Sequence, residues 1–233
     1  MKELTKRLQA VADLVPPGLS VADVGCDHGY VSIYLAKNQI ADRVIAMDVN
    51  EGPLKMAQKN IADRGLDAVI ETRLSDGVRS LKLGEVDAVV IAGMGGRLMW
   101  RILMDEEEKI RQLSYLILQP QSEIPLFRKH LRENGFRIEA ENMILEDGKY
   151  YPMMRVKVLK KETNNPGKED ALFDQYGEYL LKDKNEVLLQ FLQYERKQYE
   201  DILAGMDKTS RRAEEIQEIL RANGEAMNYF SYL

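Results

Sequence analysis

VADVGCDHGYVSIYLA, residues 21–36, decides the fold. A run with buried-strand character passes directly into Gly25 and Gly29, and a helical pattern starts at once. Glycines at such a crossing tolerate positive φ and let backbone amides approach a ligand, while the helix N-terminus offers unpaired N–H donors. The spacing is Asp-x-Gly-x-x-x-Gly, not the Gly-x-Gly-x-x-Gly of dinucleotide binders. A pyrophosphate pressed against the helix is therefore disfavoured, and a less anionic cofactor is expected.

The same strand-then-helix rhythm repeats outward from this turn. Apolar runs stand at 19–25, 43–49, 68–74, 86–93 and 115–120, each bounded by turn residues. Their consecutive apolar positions predict strands buried on both faces. Helical patterns fill about 29–37, 51–64, 95–110 and 123–134, the last carrying Ile124, Phe127 and Leu131 at helical spacing. Alternation of this kind predicts a mostly parallel sheet with helices on both faces. FRIEAENMILE (136–146) and YYPMMRVKVLK (150–160), joined by Asp147-Gly148-Lys149, close the series as an antiparallel hairpin.

The polar stretch KKETNNPGKED (160–170) reads as a linker. Beyond it, apolar residues at Leu188, Phe191, Leu192, Tyr199, Ile202 and Leu203, then Ile216, Ile219 and Leu220, predict amphipathic helices folded back at GMDKTS (205–210). Charge shifts at the same place. Residues 1–160 balance 23 Lys+Arg against 23 Asp+Glu, whereas 161–233 hold 10 against 15 and carry the whole net charge of −5. Two domains, 1–160 and 161–233, are expected.

With 45% hydrophobic and 30% charged residues the chain can bury a core. No apolar run reaches the ~20 residues a bilayer span needs, and the first ten residues lack the apolar heart of a signal peptide. One cysteine and two histidines exclude a disulfide framework and argue against a zinc site. A cytoplasmic protein without metal is expected, as a monomer or weak homo-oligomer.

The second strand ends in Asp48-Val49-Asn50, with Asp48 lying 23 residues after Gly25. A carboxylate at this edge can accept both ribose hydroxyls of a nucleoside, although a helix-capping role also fits it. The third strand ends in Ser75-Asp76-Gly77, where a carboxylate and backbone amides can meet an adenine edge. Glycine turn, ribose acid and base edge without a phosphate clamp describe an S-adenosylmethionine site. Gly25, Asp27, His28, Gly29 and Tyr30 would form its first wall, with Ala92, Gly93 and Met94 after the fourth strand opposite.

DVGCDHGY, the Asp48 strand end, Ser75-Asp76-Gly77, IAGMGG (91–96) and LILQPQ (116–121) together resemble the bacterial tRNA (adenine-22-N1)-methyltransferase family. The glycine turn alone resembles only the broad methyltransferase class; IAGMGG, LQPQ and the Tyr-Tyr-Pro hairpin are far more restrictive. The resemblance covers about residues 1–160. It implies a Rossmann-like class I methyltransferase: a mostly parallel seven-stranded sheet with a C-terminal antiparallel hairpin, plus a small α-helical coiled-coil domain. It also implies S-adenosyl-L-methionine as cofactor, tRNA as partner and position 22 as target.

The reacting centre is expected at IAGMGG. Enzymes that methylate exocyclic amino groups resemble one another in an Asp/Asn-Pro-Pro-aromatic loop here, which this chain lacks. Cys26 sits in the cofactor turn, where it reads as a packing residue rather than a nucleophile. A ring nitrogen has an in-plane lone pair and needs only alignment with the methyl and exclusion of water. Met94 is expected to wall the base, with Asp27 or His28 taking the departing proton. Gln119 and Gln121 could meet a base edge, and Tyr150 and Tyr151 could stack on an everted nucleotide, though packing suits them too. Cations for RNA are expected on Lys2, Lys6 and Arg7, on Arg97 and Arg101, and on Arg128, Lys129 and Arg132, with Lys208, Arg211 and Arg212 near the tail's turn. His130 reads as a solvated surface residue. Methylation of a small molecule or protein, an NAD-dependent oxidoreductase and a non-catalytic adaptor remain alternatives.

Overall fold

The computed structural model describes residues 4–159, 170–207 and 209–231. Its elements run α1 (Lys6–Ala12), β1 (Leu19–Val24), α2 (Tyr30–Lys37), β2 (Ala41–Asp48), α3 (Glu51–Ala62), β3 (Ile70–Leu74), β4 (Ala88–Met94), α4 (Gly96–Asp105), α5 (Glu107–Ile110), β5 (Tyr115–Pro120), α6 (Ile124–Glu133), β6 (Phe136–Glu146) and β7 (Lys149–Val158). The seven strands form one sheet in the order β3-β2-β1-β4-β5-β7-β6. β1 to β5 are mutually parallel, and β7 runs antiparallel to both β5 and β6. This is the expected sheet, and its strand order reverses between β1 and β4.

The pleat explains the continuous apolar runs. Ala22, Val24, Ile45, Met47, Val89, Ile91, Leu116 and Leu118 enter one core layer, whereas Val21, Val44, Ala46, Ala88, Val90 and Ile117 enter the other. Successive side chains point to opposite faces, so both halves of each strand must be apolar when helices cover both sides. α4 and α6 contribute Met99, Leu103, Phe127 and Leu131 to the first layer, and α1, α2 and α3 contribute Val11, Leu35, Ala57 and Ile61 to the second.

The tail holds more pieces than the single fold-back expected from sequence: α7 (Asp170–Tyr176), α8 (Glu178–Lys182), α9 (Glu186–Ala204) and α10 (Arg211–Met227). Asn185 caps α9, its side chain accepting the Val187 and Leu188 N–H groups at 3.0 Å each. α9 and α10 lie antiparallel, with Asn223 Nδ2 donating to the Leu192 carbonyl at 2.9 Å. Their inner face joins Tyr176, Leu180, Leu181 and Phe230 in a third apolar cluster that includes Met143 of β6. Apart from Asp170, the expected linker lies outside the described residues, as do Lys2 and Lys208. Among the described residues no helix is long and apolar enough to cross a membrane.

Candidate active site

A cleft of about 650 Å³ opens along the carboxyl edge of the parallel strands. That edge, at the reversal of strand order, is where open α/β sheets bind ligands, and the volume is in the usual range of about 300–1,000 Å³ for small-molecule sites. Its lining follows the sheet: Ser75, Asp76 and Gly77 after β3; Asp48, Val49 and Asn50 after β2; Asp23, Gly25, Cys26 and Asp27 at the end of β1; Ala92, Gly93 and Met94 at the end of β4. Arg7 and Leu8 of α1, Tyr30 and Val31 of α2, and Leu98, Arg101 and Ile102 of α4 complete it.

Asp48 ties two of these loops together. One carboxylate oxygen accepts the Asn50 N–H at 2.8 Å and the other the Asp27 N–H at 3.2 Å. Each oxygen keeps a further lone pair, which suits two adjacent ribose hydroxyls. The capping role considered for Asp48 is not realised, because α3 has Asn50 as its N-cap without a side-chain capping bond, and Asp48 instead fastens the loop backbones of Asp27 and Asn50. Gly25 has φ +73°, and a Cβ there would lie 2.4 Å from the Met94 terminal methyl. Only glycine lets the β1 loop pass under Met94 in this left-handed conformation. Asp27 holds φ +50° without being glycine, a conformation that costs about 1–3 kcal/mol and clusters at functional sites.

Asp23 belongs to this site although the sequence reading passed over it. It is an acid among the apolar residues Val21, Ala22 and Val24 of β1, and its Oδ2 accepts the Ser32 hydroxyl at 2.6 Å and the Ser32 N–H at 3.1 Å. Burial pushes its carboxyl up to about 6, against the opposing pull of Ser32. As pH falls below 6 the native state takes up this proton before the unfolded chain does, so this group's contribution to stability rises on acidification. Asp23→Asn is expected to stabilise the apoprotein at pH 7 by about 2–3 kcal/mol, two pH units being worth roughly that much. The advantage should shrink toward pH 5. Urea unfolding of both proteins at the two pH values checks it, and a gap independent of pH would contradict it.

Several expected contacts are corrected. His28 does not line the cleft: its carbonyl accepts from Asn60 of α3, and its Nε2 sits 3.6 Å behind Asp27 Oδ1. Gly29 also faces away, its Cβ position lying 3.1 Å from the Ala57 methyl, so it serves helix packing. Gln119 is fully buried, with Oε1 accepting from Arg7 Nη1 at 2.8 Å and from the Gly93 N–H at 3.1 Å. Its Nε2 donates one N–H to the Pro120 carbonyl, and complete burial keeps the side chain away from a base edge. Tyr150 packs its ring against Phe191 and Tyr194 of the tail, and Tyr151 lies beneath the Arg7 guanidinium. His130 is not a free surface residue but packs against Trp100 with ring centroids 5.0 Å apart.

The expected basic surface is smaller than the sequence suggested. Arg128 is buried and paired with Glu141 at 2.9 Å, and Arg132 pairs with Asp174 at 2.7 Å. Arg211 and Arg212 both reach Glu215. Lys6, Arg97 and Arg101 stay exposed; Arg97 pairs with Glu123 at 2.8 Å, and Gln121 lies at the rim beside Gly93. Arg101 was expected to face RNA and in fact lines the cleft, as does Arg7.

A sheet of this order with its reversed final hairpin, and a strand-end acid, Asp48, facing a glycine-rich turn across the cleft, define a class I S-adenosylmethionine-dependent methyltransferase. Residues 4–154 match the family model described as a methyltransferase domain. The curated tRNA (adenine(22)-N(1))-methyltransferase of Bacillus subtilis is 34% identical over 93% of this chain and 92% of its own length. A putative tRNA (m1A22) methyltransferase from Streptococcus pneumoniae superposes with TM-score 0.87 at 32% identity, covering 96% of this chain and 99% of that one, and has also been solved with S-adenosyl-L-methionine. The M. capricolum enzyme TrmK, in complex with S-adenosyl-homocysteine, gives TM-score 0.83 at 27% identity over 98% and 99% of the two chains. The chain belongs to the bacterial tRNA (adenine-22-N1)-methyltransferase family. Membership sets aside the NAD-dependent alternative.

Proposed function

We propose that this chain transfers a methyl group from S-adenosylmethionine to N1 of adenine 22 in tRNA, acting in the cytoplasm as a monomer or weak oligomer. The observation that carries this reading is the match to the B. subtilis enzyme, which runs through both the sheet and the helical tail. When bound, the cofactor supplies an electrophilic sulfonium methyl. Asp48 accepts the ribose hydroxyls. Ser75, Asp76 and Gly77 face the adenine edge, and Val49, 60% exposed at the rim, offers its apolar face to the ring. Met94, laid over Gly25, walls the side from which the target base enters and keeps water out. A sulfonium is cationic, so the acidic lining of Asp23, Asp27 and Asp48 favours it. Asp27, exposed at the cleft mouth, is the candidate acceptor for the proton lost by the amino group, with His28 acting only through it.

We further assign the tail, 161–233, as a separate domain that orients the folded RNA, with Lys6 and Arg97 beside the cleft meeting phosphates. Methyl transfer into unmodified tRNA transcripts, followed by mapping of N1-methyladenosine, tests the main reading. Wild-type transcript should be modified and an adenine-22→guanine transcript should not. Equal modification of both would remove the assignment. Arg97→Glu should weaken tRNA binding about 5–30-fold at moderate salt, by losing one phosphate contact and adding a repulsive charge. Its exposed pair with Glu123 contributes little to folding, so cofactor affinity should stay within twofold. Filter binding and calorimetry separate the two effects.

A further inference from the structure

A second hollow, of about 60 Å³, lies between α4 and α6 and shares no lining residue with the cofactor cleft. Gly96 and Arg97 stand at the start of α4, Glu123 and Leu126 at the start of α6, and Trp100 and His130 line it further along the two helices. The Trp100 and His130 rings lie 5.0 Å apart between centroids, and Trp100 stands edge-on to Phe136 at 6.3 Å. Among the described residues the ring nitrogens of His130 have no hydrogen-bond partner. Leu126 is 46% exposed on the rim. Arg97 reaches into solvent beside it, paired only with Glu123. Single exposed leucines need no explanation, but ring surface, apolar surface and a cation gathered at one hollow mark a contact site.

Its place in the fold selects the ligand. The loops leading into α4 and α6 touch: the Gln121 N–H donates to the Met94 carbonyl at 2.9 Å, and the Gly96 N–H to the Ser122 carbonyl at 3.2 Å. A Cβ on Gly96 would lie 2.6 Å from that Ser122 oxygen, so the two helices start as close together as glycine permits. The hollow thus begins two residues beyond Met94, which walls the entry of the target base in the reading above. Adenine N1 lies on the pairing edge, so the target must leave its pair and its stack to react. The nucleotide beside it then loses a stacking partner, and an aromatic surface near the entry restores one, at about 1–3 kcal/mol per base. Arg97 at the same hollow suits the phosphate of that nucleotide, because an exposed ion pair such as Arg97–Glu123 is easily exchanged. The hollow falls far below the volume of about 300–1,000 Å³ usual for a small-molecule site, which suits one ring laid against a surface rather than a second free ligand.

Resting on that reading of the substrate, we propose that the hollow between α4 and α6 binds an unstacked nucleotide of the tRNA next to the target adenine, with its base against Trp100 and His130 and its phosphate at Arg97. The contact holds the strand beside the cleft and takes no part in the transfer itself.

Trp100 is the single tryptophan of the chain, so its fluorescence reports on this hollow. Unmodified tRNA transcript should quench the emission saturably, with the midpoint that filter binding gives, whereas S-adenosylhomocysteine by itself should leave it nearly unchanged. Trp100 also packs in part against the core, so Trp100→Leu is chosen to keep apolar bulk there while removing the ring. It should weaken tRNA binding about 5–100-fold, the equivalent of one stacked base, and Trp100→Phe should recover part of the loss. Leu126→Glu changes an exposed position that folding does not need, and should weaken tRNA about 3–30-fold by setting a carboxylate against the strand. Calorimetry should find the S-adenosylhomocysteine affinity of all three variants within about twofold of wild type, since the two sites share no lining residue. Unchanged emission at saturating tRNA, or full tRNA affinity in both Trp100→Leu and Leu126→Glu, would overturn the proposal and leave the methylation reading standing. Emission that shifts with protein concentration in the absence of RNA would overturn it in favour of a contact between two copies of the chain. A wild type that neither bound nor methylated tRNA would remove the substrate reading first, and this assignment with it.

Discussion

Asp48→Ala is expected to lower the affinity for S-adenosylhomocysteine by about 100-fold or more and to reduce methyl transfer to tRNA in proportion at limiting cofactor. Hydrogen bonds to a charged acceptor contribute about 1.5–3 kcal/mol each, and two ribose hydroxyls would lose theirs together, which at 1.4 kcal/mol per decade reaches that range. The loss also acts through the backbone. Without the carboxylate, the N–H groups of Asp27 and Asn50 lose their acceptor, and the β1 and β2 loops are no longer tied together across the cleft. Asp48→Asn separates the two contributions. Its amide oxygen can still accept one backbone N–H, so the loops should hold better while the ribose meets an NH₂ where it needs an acceptor. Affinity intermediate between wild type and Ala is expected. Binding by Asp48→Ala within threefold of wild type would remove this carboxylate from the ribose site.

The residues legible in sequence are those that a parallel sheet delivers to the cleft by connectivity alone. Each strand of a βαβ unit ends at the same edge, so Gly25, Asp48, Ser75–Gly77 and Ala92–Met94 converge without knowledge of any side-chain packing. Residues reaching the cleft from helix faces were not legible in that way. Leu98 and Ile102 line it only because α4 packs with Ile102 against Gly77, a tertiary fact. Polar residues misled in the opposite direction. Gln119 looked available until the structure placed Arg7 and the Gly93 N–H on its single carbonyl oxygen. Boundaries moved as well. The run at 86–93 becomes a regular strand only from Ala88, although the Asp87 N–H already donates to the Ser20 carbonyl at 2.9 Å and its carbonyl accepts the Ser114 N–H at 2.8 Å. The helix expected over 95–110 breaks at Glu106, which leaves helical geometry at φ −128°, ψ 40°. In the tail, Gly177 at φ +94° divides α7 from α8, and no local pattern in the sequence shows what requires a glycine there.

What requires it is the ion pair that joins the tail to the sheet, and breaking that pair carries the largest expected effect on stability. Arg128 Nε donates to Glu141 Oε1 at 2.9 Å with the two side chains 3% and 0% exposed. Arg128 Nη1 also donates to the carbonyls of Asp174 and Gln175 at 3.2 Å, and Glu141 Oε2 accepts the Tyr179 N–H at 3.1 Å. A Cβ on Gly177 would lie within 2.7–2.9 Å of the Glu141 carboxylate and Arg128 Nη2, so the pair occupies the space that any side chain there would need. Arg128→Met removes the cation and leaves a carboxylate with no counter-charge in a dry site, a change that costs about 3–5 kcal/mol. Neutralising both partners should be far milder, because well-packed neutral replacements of buried pairs often cost nothing. Arg128→Met combined with Glu141→Gln keeps an acceptor for the Tyr179 N–H and should recover at least half of the single-variant loss. Urea unfolding of the single and double variants measures this. Recovery in the double variant would show that the damage comes from the stranded charge. Equal destabilisation in both would instead assign it to the lost bonds to Asp174 and Gln175, and make Arg128 the main tie between α6 and α7.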